Sequence, residues 1–585
     1  MIRLLWNEAD YREESTALRN LVLPEDVLLV GVDLNVPQEA AAEIVRARRQ
    51  GRFVAVCPTL ADPLEGLIAQ IATSISEHPD PDQRFLQLAG LRDDRLTIQG
   101  KRPGELASLS QSAKNAVNLI LKLSDILLFS TPRERERWSR LLGKQISRFA
   151  YLPTFTSPRL ESRETEGISV YAPSTPRTAL RLVDLALAAR GLSADFISAE
   201  NPDAPVAGRV VICAEWWRPQ RAISLCAPSR RLIVPLTSGA EERIVCTTYD
   251  PANAFSLGAA IDEAWSAPGG APVYSVSAVS LSEAIERERP RQAVGPLVSI
   301  VVRTYDRPIL LARAIRSIAR QTHALVEIVV VNNGGPDVRA VVEAAVGARP
   351  FQYVTSSARA PISAASNLGV RAVKGEYVGY LDDDDLLYPD HIARTLAGLL
   401  SSGADLAYSN CVGEYAQMRG ETKTVLGVQV YLDRDFNRDE ILIGNVAPIH
   451  SILHRRDVFE RFGYFDEELP VTDDWEMWIR VARGGKVIHV DRATCEYSWR
   501  DDPARGNMTI THQQHFVDAY QVIAARYASQ TENRSYLKTL QQQSLAFQRA
   551  RLARFVESPK DAGARTLAEM TATAVPVGAL SEDGL

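Results

Sequence analysis

Gly375–Pro389 reads GEYVGYLDDDDLLYP. Glu376 to Leu381 alternates and is rich in aromatic and aliphatic residues, which predicts a buried strand. That strand runs straight into Asp382, Asp383, Asp384 and Asp385. Four like charges at a strand end repel one another and resist burial, so the segment needs either solvent or a cation. A solvated acidic turn is the plain structural alternative. The apolar strand before the acids and Pro389 after them mark the carboxyl end of a strand in an α/β sheet, where such sheets place ligands. Carboxylates held there suit a hard divalent cation that also binds phosphate oxygens.

A chain of 585 residues has room for roughly two to four domains. With 46% hydrophobic and 24% charged residues it has the composition of a globular protein, and a net charge of −6 offers no field to attract nucleic acid. The six cysteines (Cys57, Cys213, Cys226, Cys246, Cys411, Cys495) are scattered without a CxxC pair. Several lie in apolar runs, which predicts reduced, buried thiols and a cytoplasmic setting. The opening MIRLLWNEADYREE turns acidic too early for a signal peptide, and no apolar run reaches the ~20 residues of a membrane helix. Peripheral attachment at the inner face of a membrane stays open.

Before the acidic stretch, strand and helix signals alternate. Asp26–Gly31, Phe53–Cys57 and Ile126–Ser130 read as strands, with helices over Pro37–Arg49, Gln111–Leu123 and Pro132–Leu142. Such alternation predicts a parallel α/β lobe over residues 1–160. A second block, 161–267, carries strands at Ile168–Tyr171, Val210–Cys213 and Leu232–Pro235 and helices over Pro176–Ala189 and from Asp250. The segments from Asp125 (DILLFSTPRERERWSRLLGK) and Asp250 (DPANAFSLGAAIDEAW) resemble the two halves of type-B glycosyltransferases. Donor halves of that type carry two glutamates eight positions apart and a glycine turn. Here Glu215 is followed at that spacing by Ile223, and Ser238–Gly239 is the nearby glycine turn, so the second block reads as a degenerate donor half. Residues 268–296, rich in Pro, Gly, Ser and charge, read as a linker. The last block, 511–585, reads as a helical cap over Gln513–Val556 followed by a mobile tail.

Residues 297–510 hold the remaining motifs. Val298–Thr304 is a strand, Asp306 and Pro308 open a helix, and Val326–Asn332 is a second strand ending in Asn-Asn-Gly-Gly. Ala364–Gly369 (AASNLG) follows, and then the acidic strand. Ninety residues beyond Asp384 stands a second acidic group in VTDDWEMW, at the start of an amphipathic helix and after FGYFDEE. Acids in a first helical turn are stabilised by the dipole, so Asp473 alone would read as a cap.

Taken together, these blocks resemble, in order, those of the inverting type-A fold glycosyltransferases of family 2, over Val298 to about Arg500. The resemblance implies a Rossmann-like mixed sheet and transfer of a sugar from a nucleoside diphosphate (UDP-, dTDP- or GDP-linked) to a glycan or lipid-linked saccharide. It assigns Thr304 and Tyr305 to flank the base, Arg307 and Asn332 to the nucleotide-sugar site, and Asn333 to accept the imino hydrogen of the base. Asn332–Asn333 replaces the usual acidic pair, which leaves uracil, thymine and guanine open. It places Asn367 against the diphosphate loop or the backbone of the acids. Asp383 falls to the ribose, Asp384 and Asp382 to Mn²⁺ or Mg²⁺, and Asp385 to a helix cap. Asp474, beside Asp473, becomes the catalytic base, with Trp475 and His450 bordering the acceptor and Trp478 in the core. Arg500 is placed to clamp the diphosphate in a loop with Gly506–Asn507. His454, four residues past His450, is expected on the same strand face, and His512 and His515 in solvent. Two other readings remain: a non-catalytic sugar- or nucleotide-binding scaffold, and a bifunctional enzyme with a second site before residue 267. A sugar-1-phosphate nucleotidyltransferase would need a glycine-rich opening that Val298–Pro308 lacks.

Overall fold

A computed structural model describes residues 295–419, 422–431, 435–500, 512–532 and 534–557. Before them it describes 1–5, 23–33, 37–59, 111–129, 146–151, 165–172, 180–197, 208–214, 231–235, 246–249, 254–266 and 281–289, with a few isolated residues and short pieces near 18 and 567–575. The expected helix Pro132–Leu142, the Glu215–Ile223 pair, the Ser238–Gly239 turn, Cys226 and Gly506–Asn507 lie outside the described residues.

The described residues form three sheets. In the first, β1 (Ile2–Leu5), β2 (Val27–Asp33), β3 (Phe53–Thr59), β4 (Ile126–Phe129) and β5 (Phe149–Tyr151) run parallel in chain order, with α1 (Gln38–Arg49) and α2 (Gln111–Leu123) on one face. Chain order gives no reversal of winding, so among the described residues this sheet has no switch point at which a ligand crevice opens. The second sheet is built from β6 (Thr165–Tyr171), β7 (Ala194–Ile197), β8 (Gly208–Cys213), β9 (Arg231–Pro235) and β10 (Thr247–Tyr249) in the order β10-β9-β8-β6-β7. Helices α3 (Arg181–Ala188) and α4 (Ala254–Ser266) pack with it.

The stretch expected as a linker contains a helix, α5 (Leu281–Glu288). Ala284 and Ile285 on its apolar face are buried against the first sheet beside Val27 and Ile126. Its sequence, LSEAIERE, has few apolar residues, so composition disguised a helix that needs only two of them to dock.

The third sheet comprises β11 (Val298–Thr304), β12 (Val326–Asn332), β13 (Phe351–Thr355), β14 (Tyr377–Asp382), β15 (Leu386–Leu387), β16 (Leu406–Arg419), β17 (Thr422–Tyr431), β18 (Ile452–Arg455) and β19 (Val487–Arg500). Its order is β13-β12-β11-β14-β18-β16-β19-β15, with β17 on β16. The first four strands are parallel; β18 runs antiparallel to both β14 and β16. Winding reverses between β11 and β14, so the carboxyl ends of these strands lie side by side, with Arg303 opposite Asp382. The acids are therefore at the switch point. Helices α6 (Pro308–Ala319), α7 (Arg339–Ala345), α8 (Ile362–Ala372), α9 (His391–Ser402), α10 (Val458–Phe462) and α11 (Asp473–Gly484) cover the sheet. The C-terminal helices α12 (Gln513–Arg526), α13 (Ala528–Thr531) and α14 (Ser535–Glu557) pack through Tyr520, Ile523 and Leu537 onto the core that holds Trp475 and Trp478. The tail does not simply trail away: Val575 pairs with Val428 of β17 and is fully buried. No helix among the described residues is long and apolar enough to cross a membrane.

The first lobe and the third sheet share one core. Ile44, Val117 and Ile120 meet Tyr388, Val412, Val428 and Val575. Two adjacent arginines at the end of α1 enter this interface. Arg48 donates to both carboxylate oxygens of Asp390 at 2.7 Å, and Arg49 donates to both oxygens of Glu496 at 2.8 Å and to Glu414. Gly51 follows with φ +76, and a β-carbon there would stand 3.1 Å from Pro389, so the left-handed turn is glycine for both conformation and space. Removing one partner of a buried ion pair strands the other in low dielectric. Arg49→Met is therefore expected to cost about 3 kcal/mol, read as a lower denaturation midpoint shared by the first lobe and the third sheet. An unchanged midpoint would contradict this docking.

Candidate active site

β14 delivers the acids to a turn closed by the Asp385 N–H donating to the Asp382 carbonyl at 3.2 Å. Each acid meets a basic side chain, and Arg307 serves two of them. Arg303, from β11, holds Asp382 Oδ1 (3.0 Å from Nε) and donates to Ser366 Oγ at 2.9 Å. Arg307 reaches Asp383 Oδ1 at 3.0 Å and Asp384 Oδ2 at 3.2 Å, and Arg500, from the end of β19, donates to the same oxygen of Asp384. Thr304 Oγ1 donates to Asp383 Oδ2 at 2.8 Å. Asp385 does not cap a helix: it points inward, accepting from the Ser498 N–H at 2.8 Å and pairing with His450 Nδ1 at 2.9 Å. Burial and the neighbouring charge of Asp384 push Asp383 upward, against Arg307 and Thr304.

The second acidic group opens α11. Thr472, at its N-cap, is left-handed (φ 60), as is Asp306 (φ 51) in the turn after β11; both line the cavity. A β-branched residue in that region costs roughly 1–2 kcal/mol, so local geometry here is imposed by its surroundings. Asp474 Oδ1 accepts the Trp475 N–H at 2.7 Å and its Oδ2 accepts from Asn445 Nδ2 at 2.9 Å. Asp473 is buried and its Oδ2 accepts no hydrogen bond. Burial, then the charge of Asp474, pushes Asp473 up to about 7, with Arg303 opposing. Burial also raises Asp474, against its bonds to Trp475 and Asn445.

Both acidic groups face one cavity of about 1020 Å³, also lined by Thr304, Tyr305, Arg307, Asn333, Arg359, Tyr497 and the C-terminal His512, His515 and Gln548. The histidines expected in solvent thus border the cavity, their rings 5.4 Å apart. Arg359 lies over the Tyr305 ring at 4.4 Å.

Several expected positions fall elsewhere. Asn332 is buried and spends its amide on its own turn, donating to the Gly335 and Pro336 carbonyls and to Tyr353 while accepting the Gly335 N–H. Asn333 lines the cavity, but its side chain is paired both ways with the Ala360 backbone (2.9 and 3.0 Å), so it organises a loop in place of accepting from a base. Asn367 ties α8 to the Phe465 backbone and Glu467, not to the acidic turn. Arg500 reaches the acidic turn itself, donating to Asp384. Trp475 donates to the Ile441 carbonyl and is nearly all buried, with one edge on the cavity; Trp478 is wholly core. His450 does line the cavity, as expected, but from a short turn, Ile449–Ser451, before β18, and not on one strand face with His454, which bonds Tyr380 OH at 2.8 Å deep in the core. Arg303, Asn445 and Arg359 escaped the sequence reading. The strand pairing Arg303↔Asp382 was the one available signal for the first of them, and it requires the topology.

With this geometry in hand, comparison with known proteins is decisive for one region: residues 299–462 match glycosyl transferase family 2. The chain carries a family 2 glycosyltransferase domain. Relatives include uncharacterized glycosyltransferases of Rickettsia typhi (27% identical over 199 residues, 33% of this chain and 61% of that one) and Bacillus subtilis (28% over 204 residues, 35% and 75%). Pasteurella multocida chondroitin synthase is 25% identical over 224 residues, 38% of this chain and 23% of that one. Among solved structures, S. aureus TarS 1–349 with UDP-GlcNAc (17% identity, TM-score 0.32, 39% of this chain and 66% of that one) and the Pyrobaculum calidifontis mannosyltransferase PcManGT with GDP-Man and Mn²⁺ (20%, 0.34, 50% and 83%) are similar. This family 2 domain thus spans only 61% of the Rickettsia relative's length.

The raised carboxyl in this domain makes a prediction of definite sign. Asp473 has a folded value near 7 against 3.8 for the ordinary group, so folding takes up a proton in that window. Its contribution to stability is present below 3.8 and lost as pH rises through about 7. Asp473→Asn cannot ionise, so the variant should gain stability relative to the parent between about pH 5 and about pH 8, followed by thermal melts. A difference that stays flat with pH would show that Asp473 does not hold its proton.

Proposed function

We propose that the chain transfers a sugar from a nucleoside diphosphate sugar to a hydroxyl of a polysaccharide, lipid-linked saccharide or protein glycan, with inversion. The observation that carries this reading is that Asp382–Asp384 and Asp473–Asp474 face a single cavity at the switch point of the sheet. The cavity is large enough for a nucleotide sugar and part of an acceptor. Asp474, fixed by Asn445 and its own helix start, takes the proton of the acceptor hydroxyl. The acceptor oxygen bonds the anomeric carbon while the bond from that carbon to the phosphate oxygen breaks on the opposite face, and the nucleoside diphosphate leaves with the electron pair. The raised value of Asp474 brings it nearer neutrality, which suits a base. The base and ribose fall to Thr304, Tyr305 and Asp383.

A divalent cation fits the first acidic group. The arginine pairs use Oδ1 of Asp382 and Oδ2 of Asp384, and hard carboxylate oxygens are the donors Mn²⁺ and Mg²⁺ prefer. Bound there, such an ion neutralises charge on the departing diphosphate. Arg307 and Arg500 already reach Asp384 and would be shared with the phosphates. The lobes 1–160 and 161–267 act in this reading as a type-B-like scaffold: the first buttresses the acidic turn through Arg48 and Gly51 and supplies no second active site. The enzyme works at the cytoplasmic side, with any membrane contact peripheral and made through its acceptor.

A panel of UDP-, dTDP- and GDP-sugars assayed with Mn²⁺ or Mg²⁺ tests this directly. Asp384→Ala and Asp474→Asn are each expected to lower transfer at least about 100-fold, and chelation of the metal should abolish it in the parent. Transfer that survives both substitutions would move the chemistry out of this domain.

A further inference from the structure

Beneath the acidic turn lies a group of side chains, two of them cysteines, to which the transfer chemistry assigns no step. Cys411 on β16 and Cys495 on β19 are directly opposed in the parallel pair, so both side chains leave the same face of the sheet. The register slips on the near side of Cys411, between Ser409, Asn410 and Cys411, which bends the strands at this point. His450, from the turn before β18, points its Nε2 at the pair, 3.3 Å from Cys411 Sγ. The two sulfurs and the imidazole nitrogen all lie within 4.8 Å of one another, and all three residues are buried.

We propose that Cys411, Cys495 and His450 bind a zinc ion that ties β16, β19 and the turn before β18 together under the acidic turn. Tetrahedral zinc with sulfur at about 2.3 Å and nitrogen at about 2.0–2.1 Å requires roughly 3.6 Å between a sulfur and a nitrogen and roughly 3.8 Å between two sulfurs. The spacing observed here needs only small adjustments to meet that. Two thiolates and an imidazole are also the softer donor set that selects zinc over the hard ions of the carboxylate site.

The surroundings are those of a ligating histidine. With Nε2 on the ion, Nδ1 carries the proton and faces Asp385 Oδ2 as an ion-pair partner 2.9 Å away, and Asp385 is held in turn by the Ser498 N–H. A carboxylate behind a ligating imidazole fixes its tautomer and strengthens it as a donor. Tyr497 stacks on the His450 ring (5.8 Å, 13°) and closes that side. Loading releases the thiol protons and leaves the histidine neutral. The site accounts for why Asp385, alone of the four acids, turns inward: it orients a ligand of a second metal centre.

The test uses the full chain, purified without added metal or chelator. Elemental analysis should find about one zinc per chain, and X-ray absorption at the zinc edge should report two sulfurs and at least one imidazole nitrogen. Exchange with Co²⁺ should give a sulfur-to-cobalt charge-transfer band, lost in Cys411→Ser/Cys495→Ser. If that variant fails to fold, the absorption spectrum of the parent decides the ligand set by itself. A parent that holds no zinc and gives no such band with Co²⁺, or one in which a Cys411–Cys495 disulfide is found, overturns the proposal.

Discussion

Four adjacent carboxylates at the end of a buried strand can exist only if cations or hydrogen-bond donors are brought to them, and this constraint organises the third sheet. Asp382, Asp383, Asp384 and Asp385 are answered by Arg303, Arg307, Arg500 and His450, drawn from β11, the turn after it, the end of β19 and the turn before β18. Desolvating a charge costs several kcal/mol unless its partners are in place. The strand order that sets β11 beside β14 is therefore also the order that makes the acidic turn affordable. Arg303 further feels Asp473 and Asp474 through space and so links the two acidic groups across the cavity.

The same logic extends outward. Asp390, one residue after Pro389, is held by Arg48 and Arg394, and burial notwithstanding these arginines keep it well below the usual carboxylate range. Glu414 and Glu496, on the two strands that carry Cys411 and Cys495, are held by Arg49, with Lys423 also on Glu414. A lobe whose described strands have no switch point of their own thus supplies two guanidinium groups to the far side of the acidic turn. It behaves as part of the wall and not as a neighbour on a tether.

Much of the third sheet was legible in the sequence because its signals are local. Val298–Thr304 and Val326–Asn332 are apolar runs bounded by turns, and α11 shows its apolar stripe after two acids. What stayed hidden depends on pairing across distance. The family resemblance assigns the Asn332, Asn333 and Asn367 amides to the ligand site; in the fold each finds backbone partners first. Helix α5 was lost inside a stretch of Pro, Gly and Ser, and the buried Val575 inside an Ala- and Thr-rich tail. Cys411, His450 and Cys495 had no recognisable spacing, since a register of two parallel strands and a turn brings them together.

The central claim is a single in-line displacement in which Asp474 deprotonates the acceptor while the diphosphate leaves from the opposite face. Nuclear magnetic resonance of the glycosidic product formed from an α-linked nucleoside diphosphate sugar tests it most directly. A product with the β configuration at the transferred carbon is the predicted result. An α product would mean retention, and would contradict both the assigned role of Asp474 and the geometry of attack across this cavity.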